Sequence, residues 1–283
     1  MAKIKVTCDS TCDLTKELYE KYDVEVMPLG ITLGEDLYFD GVNVTSRALY
    51  DYADRTGTLP KTSAVTPAYY EEHFAKYVNE GYEVIHIGFS SEMSSCYQNA
   101  CIAAEEVGHV HVIDSLNLSS GSGHLVLMAR ELIDQGKTAD EIEEILKEAV
   151  GRLDVSFIVQ TLEYLKMGGR CSSVAAFGAN LLKIRPEIRV SEGKMSVGRK
   201  YRGTMSKTVA DYVRGALEGR EDIDLHRIFV THSPMPKEEV DKAIALVKEL
   251  HPFEEVLETE AGCTVSSHCG PDCIGVLFFT KKQ

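Results

Sequence analysis

No stretch of this 283-residue chain approaches the roughly 20 consecutive apolar residues of a membrane span. Met1-Ala2-Lys3-Ile4-Lys5 runs straight into a strand with no apolar signal stretch, so a cytoplasmic protein without a transmembrane segment is expected. Positive charge is in short supply: 30 Lys and Arg against 44 Asp and Glu leave a formal net charge of -14. That balance argues against general nucleic-acid binding, because affinity for the phosphate backbone comes mainly from lysine and arginine. The eight cysteines contain no C-x-x-C pair, and a cytoplasmic compartment disfavours disulfides. The nearest thing to a ligand set, Cys263, His268, Cys269 and Cys273, lacks zinc spacing, so no metal is expected. His109 and His111 alternate on a strand and share a face, with no third ligand evident. Gly121-Ser122-Gly123 lacks the third glycine of G-x-G-x-x-G and the lysine of a P-loop, which excludes autonomous nucleotide binding. Internal repeats, low-complexity tracts and long linkers are missing as well.

What is present, 44% hydrophobic and 26% charged residues, suits a soluble globular protein able to bury a sizeable core. Strands at 3–7, 83–89 and 109–114 alternate with helices at 15–22, 46–55, 67–80, 93–107, 118–135 and 138–150, with 24–33 extended. Thr66-Pro67 reads as an N-cap followed by proline at the first helical position. Thr138-Ala139-Asp140-Glu141 reads as a capping box, with Ile142, Ile145, Leu146 and Ala149 at helical spacing behind it. After a break near 151–154 come a strand at 155–161, helical stretches at 162–167 and 174–182, and strands at 187–191 and 194–201 about a Glu192-Gly193 hairpin turn. A helix at 205–218, a strand at 225–231, a helix at 237–250 and strands at 255–259 and 274–280 complete the chain. The expected fold is α/β, as two packed domains: 1–153 with a mainly parallel sheet flanked by helices, and 154–283 with a mixed sheet. A ligand would lie between them, where carboxyl ends of parallel strands and domain interfaces favour pockets.

The most informative segment is Gly88-Phe89-Ser90-Ser91-Glu92-Met93-Ser94-Ser95-Cys96, in which four serines follow an apolar strand and open a helix. Backbone amides at such a turn have no intrahelical partner and carry the positive end of the helix dipole, so with serine hydroxyls they can bind a carboxylate or phosphate. The bland alternative is that Ser94 or Ser95 merely caps the helix. Two more segments bear on the choice. Thr66 is assigned to capping, which leaves Thr62 and Ser63 of Lys61-Thr62-Ser63 free. Residues 261–272 read as a polar, glycine-punctuated loop carrying His268.

Taken in order, Asp9-Ser10-Thr11-Cys12-Asp13-Leu14, Thr62-Ser63, Ser90-Ser91-Glu92-Met93-Ser94, Val112-Ile113-Asp114-Ser115, Gly168-Gly169-Arg170, Lys200-Tyr201-Arg202 and His268-Cys269-Gly270-Pro271 give a chain that resembles the DegV family nearly end to end. Members of that family are similar to the fatty-acid-binding subunits of bacterial fatty acid kinases. The resemblance implies a carrier without a catalytic residue or cofactor of its own. It would bind a long-chain fatty acid through Thr62, Ser94 and His268, with Ser63 and the amide of Ser95 beside them, and present it to a kinase subunit. It also implies that Arg170 closes or supports the site and that Arg202 helps dock the kinase or place the carboxylate. Read alone, Gly168-Gly169-Arg170 is a glycine C-cap followed by a surface arginine, and Arg199, Lys200 and Arg202 are a solvated charge cluster. Ser95 and Cys96 stand where the family usually has Gly-Thr, and Cys269 and Asp272 depart from its His-Thr-Gly-Pro-Gly.

A dry carboxylate site must supply several hydrogen-bond donors, while a buried acyl chain contributes roughly 0.8 kcal/mol per methylene before entropic losses. Phe157, Ile158, Leu162, Leu165, Phe177, Leu181 and Leu182 are the candidate tunnel walls, each equally readable as ordinary core. Two other function classes stay open at this point. One is a serine hydrolase using Ser94 and His268, oriented by Asp9 or Asp114, disfavoured by the missing G-x-S-x-G elbow. The other is a lipid-responsive regulatory module. A transient contact with a membrane surface also stays open.

Overall fold

The computed structural model describes residues 3–171 and 184–282. Strand β1 (Lys3–Asp9) passes through a 3-10 turn (Ser10–Cys12) into helix α1 (Lys16–Lys21), where the Thr15 hydroxyl accepts the Leu18 N–H. Strands β2 (Val24–Met27), β3 (Gly30–Leu33) and β4 (Asp36–Phe39) follow, then α2 (Ser46–Thr56), β5 (Lys61–Ser63) and α3 (Pro67–Asn79). Thr66 caps α3 and Pro67 opens it, as the spacing predicts. Next come β6 (Tyr82–Gly88), α4 (Cys96–Val107), β7 (Val110–Asp114), α5 (Ser120–Asp134) and α6 (Ala139–Val150), the last opened by the predicted Thr138/Glu141 capping box. The chain continues through β8 (Leu153–Ile158), α7 (Glu163–Gly168), β9 (Ile184–Ser191), β10 (Lys194–Arg202) and α8 (Met205–Leu217). It ends with β11 (Ile223–His232), α9 (Lys237–Leu250), β12 (Glu255–Glu260), α10 (Cys263–Cys269) and β13 (Ile274–Thr280).

The fold is mixed α/β, with a parallel four-stranded sheet in the order β2-β1-β6-β7. Val6–Asp9 and Val84–Gly88 are buried without interruption, the pattern of parallel strands covered on both faces. The second sheet, β10-β9-β8-β13-β11-β12, is antiparallel except for its β11-β12 edge. The Glu192-Gly193 turn joins β9 to β10 with positive φ at both residues, as a tight hairpin requires.

Three expectations are corrected. The extended segment 24–33 divides between two sheets: β2 joins the parallel one, whereas β3 centres a small antiparallel sheet, β4-β3-β5. Thr62 and Ser63 therefore lie on a strand, one too short for any periodicity to reveal. The helix expected at 93–107 begins only at Cys96, after a turn. Residues 263–269, read as loop, are helix α10. The helix expected at 174–182, with Phe177, Leu181 and Leu182, lies outside the described residues.

Helix α5 binds the two larger sheets together. Its residues Ser120–Leu127 are buried without a break, and one core cluster runs from Val6 and Ile87 through Leu125 and Val126 to Val155, Phe157 and Leu277. The glycines that faintly suggested a nucleotide loop serve this packing. A Cβ on Gly123 would lie 2.7 Å from Leu14 Cδ2 and 2.9 Å from the Cys12 carbonyl oxygen, and a backbone atom cannot move aside as a flexible side chain can. Gly123→Ala is expected to cost about 2 kcal/mol through overpacking, read as a lower midpoint in urea unfolding. An unchanged midpoint would show that the interface has slack.

Candidate functional site

At the end of β1 and in the turn after it, Asp9, Ser10 and Asp13 each hold a different part of the chain. The Asp9 carboxylate accepts the Phe89 N–H at 2.8 Å and the Tyr70 hydroxyl, fixing where β6 hands over to the serine turn. Ser10 donates to Asp40 at 3.1 Å and accepts the Leu29 N–H at 3.2 Å. Asp13 accepts the Gly262 N–H at 2.9 Å and the Ser119 hydroxyl at 2.5 Å. Burial pushes its carboxyl well above the usual range, against those two hydrogen bonds. Asp40 then accepts the N–H groups of Cys263 at 2.7 Å and Thr264 at 2.9 Å. Two carboxylates from distant sequence thus satisfy the first amides of α10, which has no N-cap side-chain bond of its own. Only glycine fits at 262, since a Cβ there would meet Asp13 Oδ1 at 2.9 Å and Asp40 Oδ1 at 3.1 Å.

Helix α10 carries His268 to β5, where its Nε2 lies 3.0 Å from Thr62 Oγ1. Its Nδ1 has no hydrogen-bond partner among the described residues and faces the end of α7, where a Cβ on Gly168 would overlap it. Gly169 ends α7 in the left-handed conformation expected of a glycine C-cap. Gly168 has a separate role, as the surface against which the imidazole rests. Arg170 donates to the Gly168 carbonyl at 2.7 Å and to the Met93 carbonyl at 3.4 Å. Burial first, and the Arg170 charge second, push the His268 imidazole down to about 4, so it is neutral at pH 7.

The serine run divides its labour. Ser90 is fully buried, donates to the Gly193 carbonyl at 2.9 Å and accepts the Glu92 N–H, pinning the turn to the β9-β10 hairpin. Ser94 Oγ accepts the Cys96 N–H at 3.2 Å, so it supports the helix start while also facing the cavity. Thr62, Ser63, Ser94, Ser95, Arg170 and His268 all line one cavity of about 130 Å³, together with apolar residues including Leu29, Phe89, Met93, Met195 and Val265. A second, nearly apolar cavity of about 30 Å³ shares Leu118, Val265 and Cys269 with the first and is walled by Val155, Phe157 and Leu277. Of the expected tunnel walls, Phe157 lines it; Ile158, Leu162 and Leu165 are core. Arg202 is exposed at the end of β10 and does not line either cavity.

A serine triad is not assembled among the described residues. His268 Nε2 meets Thr62 rather than Ser94. Asp9 is committed to Phe89 and Tyr70, and Asp114 to the N–H groups of Ser91 and Leu116. His111, for which no third ligand was evident, meets Glu143 at 2.5 Å and Asp140 at 4.0 Å on α6. Lys147 sits 2.7 Å from that Glu143, and its ammonium already supplies the cation. Sequence reasoning missed Asp40, Gly168 and Thr264; Gly168 alone carried a signal, as half of a doubled glycine.

A family model described as "Uncharacterised protein, DegV family" matches residues 3–281. A DegV domain-containing protein of Clostridium acetobutylicum is 36% identical over 287 residues, covering 99% of this chain and 100% of that one. A structure described as fatty acid binding of a DegV family protein from Thermus thermophilus superposes with a TM-score of 0.88 at 29% identity, covering 99% of this chain and 100% of that one. A stearic acid-binding protein from Eubacterium ventriosum matches with a TM-score of 0.87 at 27% identity, over 98% of each chain.

The depressed His268 pKa has a stability signature. Between its ordinary value of 6.5 and the folded value of about 4, the unfolded chain binds a proton that the folded site refuses. Stability from this group is therefore complete above pH 6.5 and lost as pH falls toward 4, by on the order of 3 kcal/mol. His268→Gln is expected to flatten that part of the melting-temperature profile; parallel profiles for the two proteins would overturn the assignment.

Proposed function

This chain belongs to the DegV family, and on that premise we propose that it is a cytoplasmic carrier which holds a long-chain fatty acid by its carboxylate and presents it to a separate ATP-dependent kinase subunit for acyl-phosphate formation. The observation that carries the reading is the junction of a hydroxyl and imidazole wall with a nearly apolar second cavity. Thr62, Ser63, Ser94, the Ser95 amide and neutral His268 supply donors without burying a positive charge. Burial of the acyl chain between the 1–153 and 154–283 units supplies the drive. The two cavities together are smaller than a long acyl chain, so binding has to push apart their shared wall of Leu118, Val265 and Cys269.

The protein contributes binding and positioning; the phosphoryl transfer belongs to the partner. Exposed Arg170 at the rim of the first cavity supports the carboxylate, and Arg202 serves in docking the kinase. Mass spectrometry of the purified protein, native and after organic extraction, is expected to find one fatty acid per chain. Thr62→Ala, Ser94→Ala and His268→Ala should each lower lipid retention by roughly ten- to a hundredfold, as loss of one hydrogen bond to a charged group implies. Gly168→Ala should do the same by displacing the imidazole. Unchanged occupancy in all four would sink the site, and an empty protein that takes up no added fatty acid would sink the carrier. Arg202→Ala is expected to slow acyl-phosphate formation by the kinase at unchanged lipid occupancy.

A further inference from the structure

The pleat of β5 separates its two hydroxyls. Thr62 pairs with Ile31 and Ser63 with Gly30, so the two side chains leave the β4-β3-β5 sheet on opposite faces. The Thr62 face is the one packed on α10, where Ile31 clusters with Cys263. Ser63 belongs to the outward face. Its Oγ lies over Gly30, where a Cβ would come within 2.3 Å of it, beside Leu37, which is 56% exposed. On the α10 side of the sheet the hydroxyl that accompanies Thr62 in the first cavity is that of Thr264, from the second position of α10.

Thr264 is only 2% exposed, and its Oγ1 has no hydrogen-bond partner among the described residues. Its N–H is donated to Asp40 at 2.9 Å, so helix capping does not account for the hydroxyl. Thr62 Oγ1 already lies 3.0 Å from His268 Nε2, and Ser94 Oγ already accepts the Cys96 N–H. An unpaired buried hydroxyl is costlier than an aliphatic group of the same shape, and valine would fill position 264 without that cost. Thr264 and His268, four residues apart, share a face of α10 and are separated by about 6 Å along its axis. A carboxylate presents about four acceptor sites on two oxygens. At hydrogen-bond lengths of about 2.8 Å, donors that far apart can take one oxygen each. Resting on the carrier reading above, we infer that Thr264 Oγ1 is a further donor to the fatty acid carboxylate, holding one oxygen while Thr62 and His268 hold the other. This needs no functional group on the ligand beyond the carboxylate itself.

The test uses delipidated wild-type protein, Thr264→Val, Thr264→Ser and Ser63→Ala with octadecanoic acid carrying carbon-13 in its carboxyl group. Affinity is measured directly, and the carbon resonance of the bound acid is followed against pH. Thr264→Val is expected to weaken binding by roughly ten- to a hundredfold, the scale of one hydrogen bond to a charged group. The bound carboxyl should also titrate at higher pH than in the wild type, because a donor to the carboxylate favours its charged form. Thr264→Ser, which keeps the hydroxyl, should restore both, and Ser63→Ala should shift the titration less than Thr264→Val does. A purely structural role for Thr264 would leave the carboxyl titration where it was. The inference is overturned if that titration is the same in wild type and Thr264→Val, whatever the affinities, or if Thr264→Val binds the acid as tightly as wild type; the carrier reading would then still stand. A larger titration shift in Ser63→Ala than in Thr264→Val would overturn it as well. If octadecanoic acid does not bind the wild type, both readings fall together.

Discussion

The arrangement of the site depends on buried carboxylates meeting backbone amides across long stretches of chain. Asp9 holds the end of β6, and Asp13 and Asp40 hold the start of α10. A buried carboxylate has to be satisfied by donors, and the first amides of a helix have to be satisfied by acceptors. Here each need answers the other, which places His268 from near the C-terminus beside Thr62 of a three-residue strand. Ser10 and Ser119 complete the set by bonding Asp40 and Asp13. Loss of any one acceptor would release a wall of the cavity along with a hydrogen bond.

Within this frame the hydrogen-bonding wall of the cavity is neutral, with Arg170 as the one charged side chain among its lining residues, although the chain carries a net charge of -14. His268 is held neutral by burial and by Arg170, and Gly168 lets the imidazole lie against α7 without a side chain between them. Neutral donors next to an apolar continuation suit a ligand with a small polar head and a long apolar tail. The related proteins of Thermus thermophilus and Eubacterium ventriosum, described as binding fatty acid and stearic acid, share this fold over nearly the whole chain.

Legibility in the sequence followed the range of the interaction. The caps at Thr66 and Thr138, the Glu192-Gly193 hairpin and the strand before the serine run depend on neighbours within a few residues, and the structure has them where the spacing placed them. Helix α10 was unreadable because its N-terminal partners are Asp13 and Asp40, more than 200 residues away in sequence. Strand β5 owes its existence to pairing with β3 rather than to its own residues. Ser90, a member of the same serine run, is a support for the turn through its contact with the Gly193 carbonyl, 103 residues away in sequence.

By itself the sequence determined the α/β class, the alternation of most elements, and the residue types able to hold an anion, because periodicity, capping and hydrogen-bonding capacity are properties of short segments. Only the tertiary structure decided which hydroxyls share a cavity, that His268 is neutral, and that the Thr264 hydroxyl has no partner among the described residues. Each of those depends on burial and on groups from remote parts of the chain, and neither can be read from a residue's neighbours in sequence.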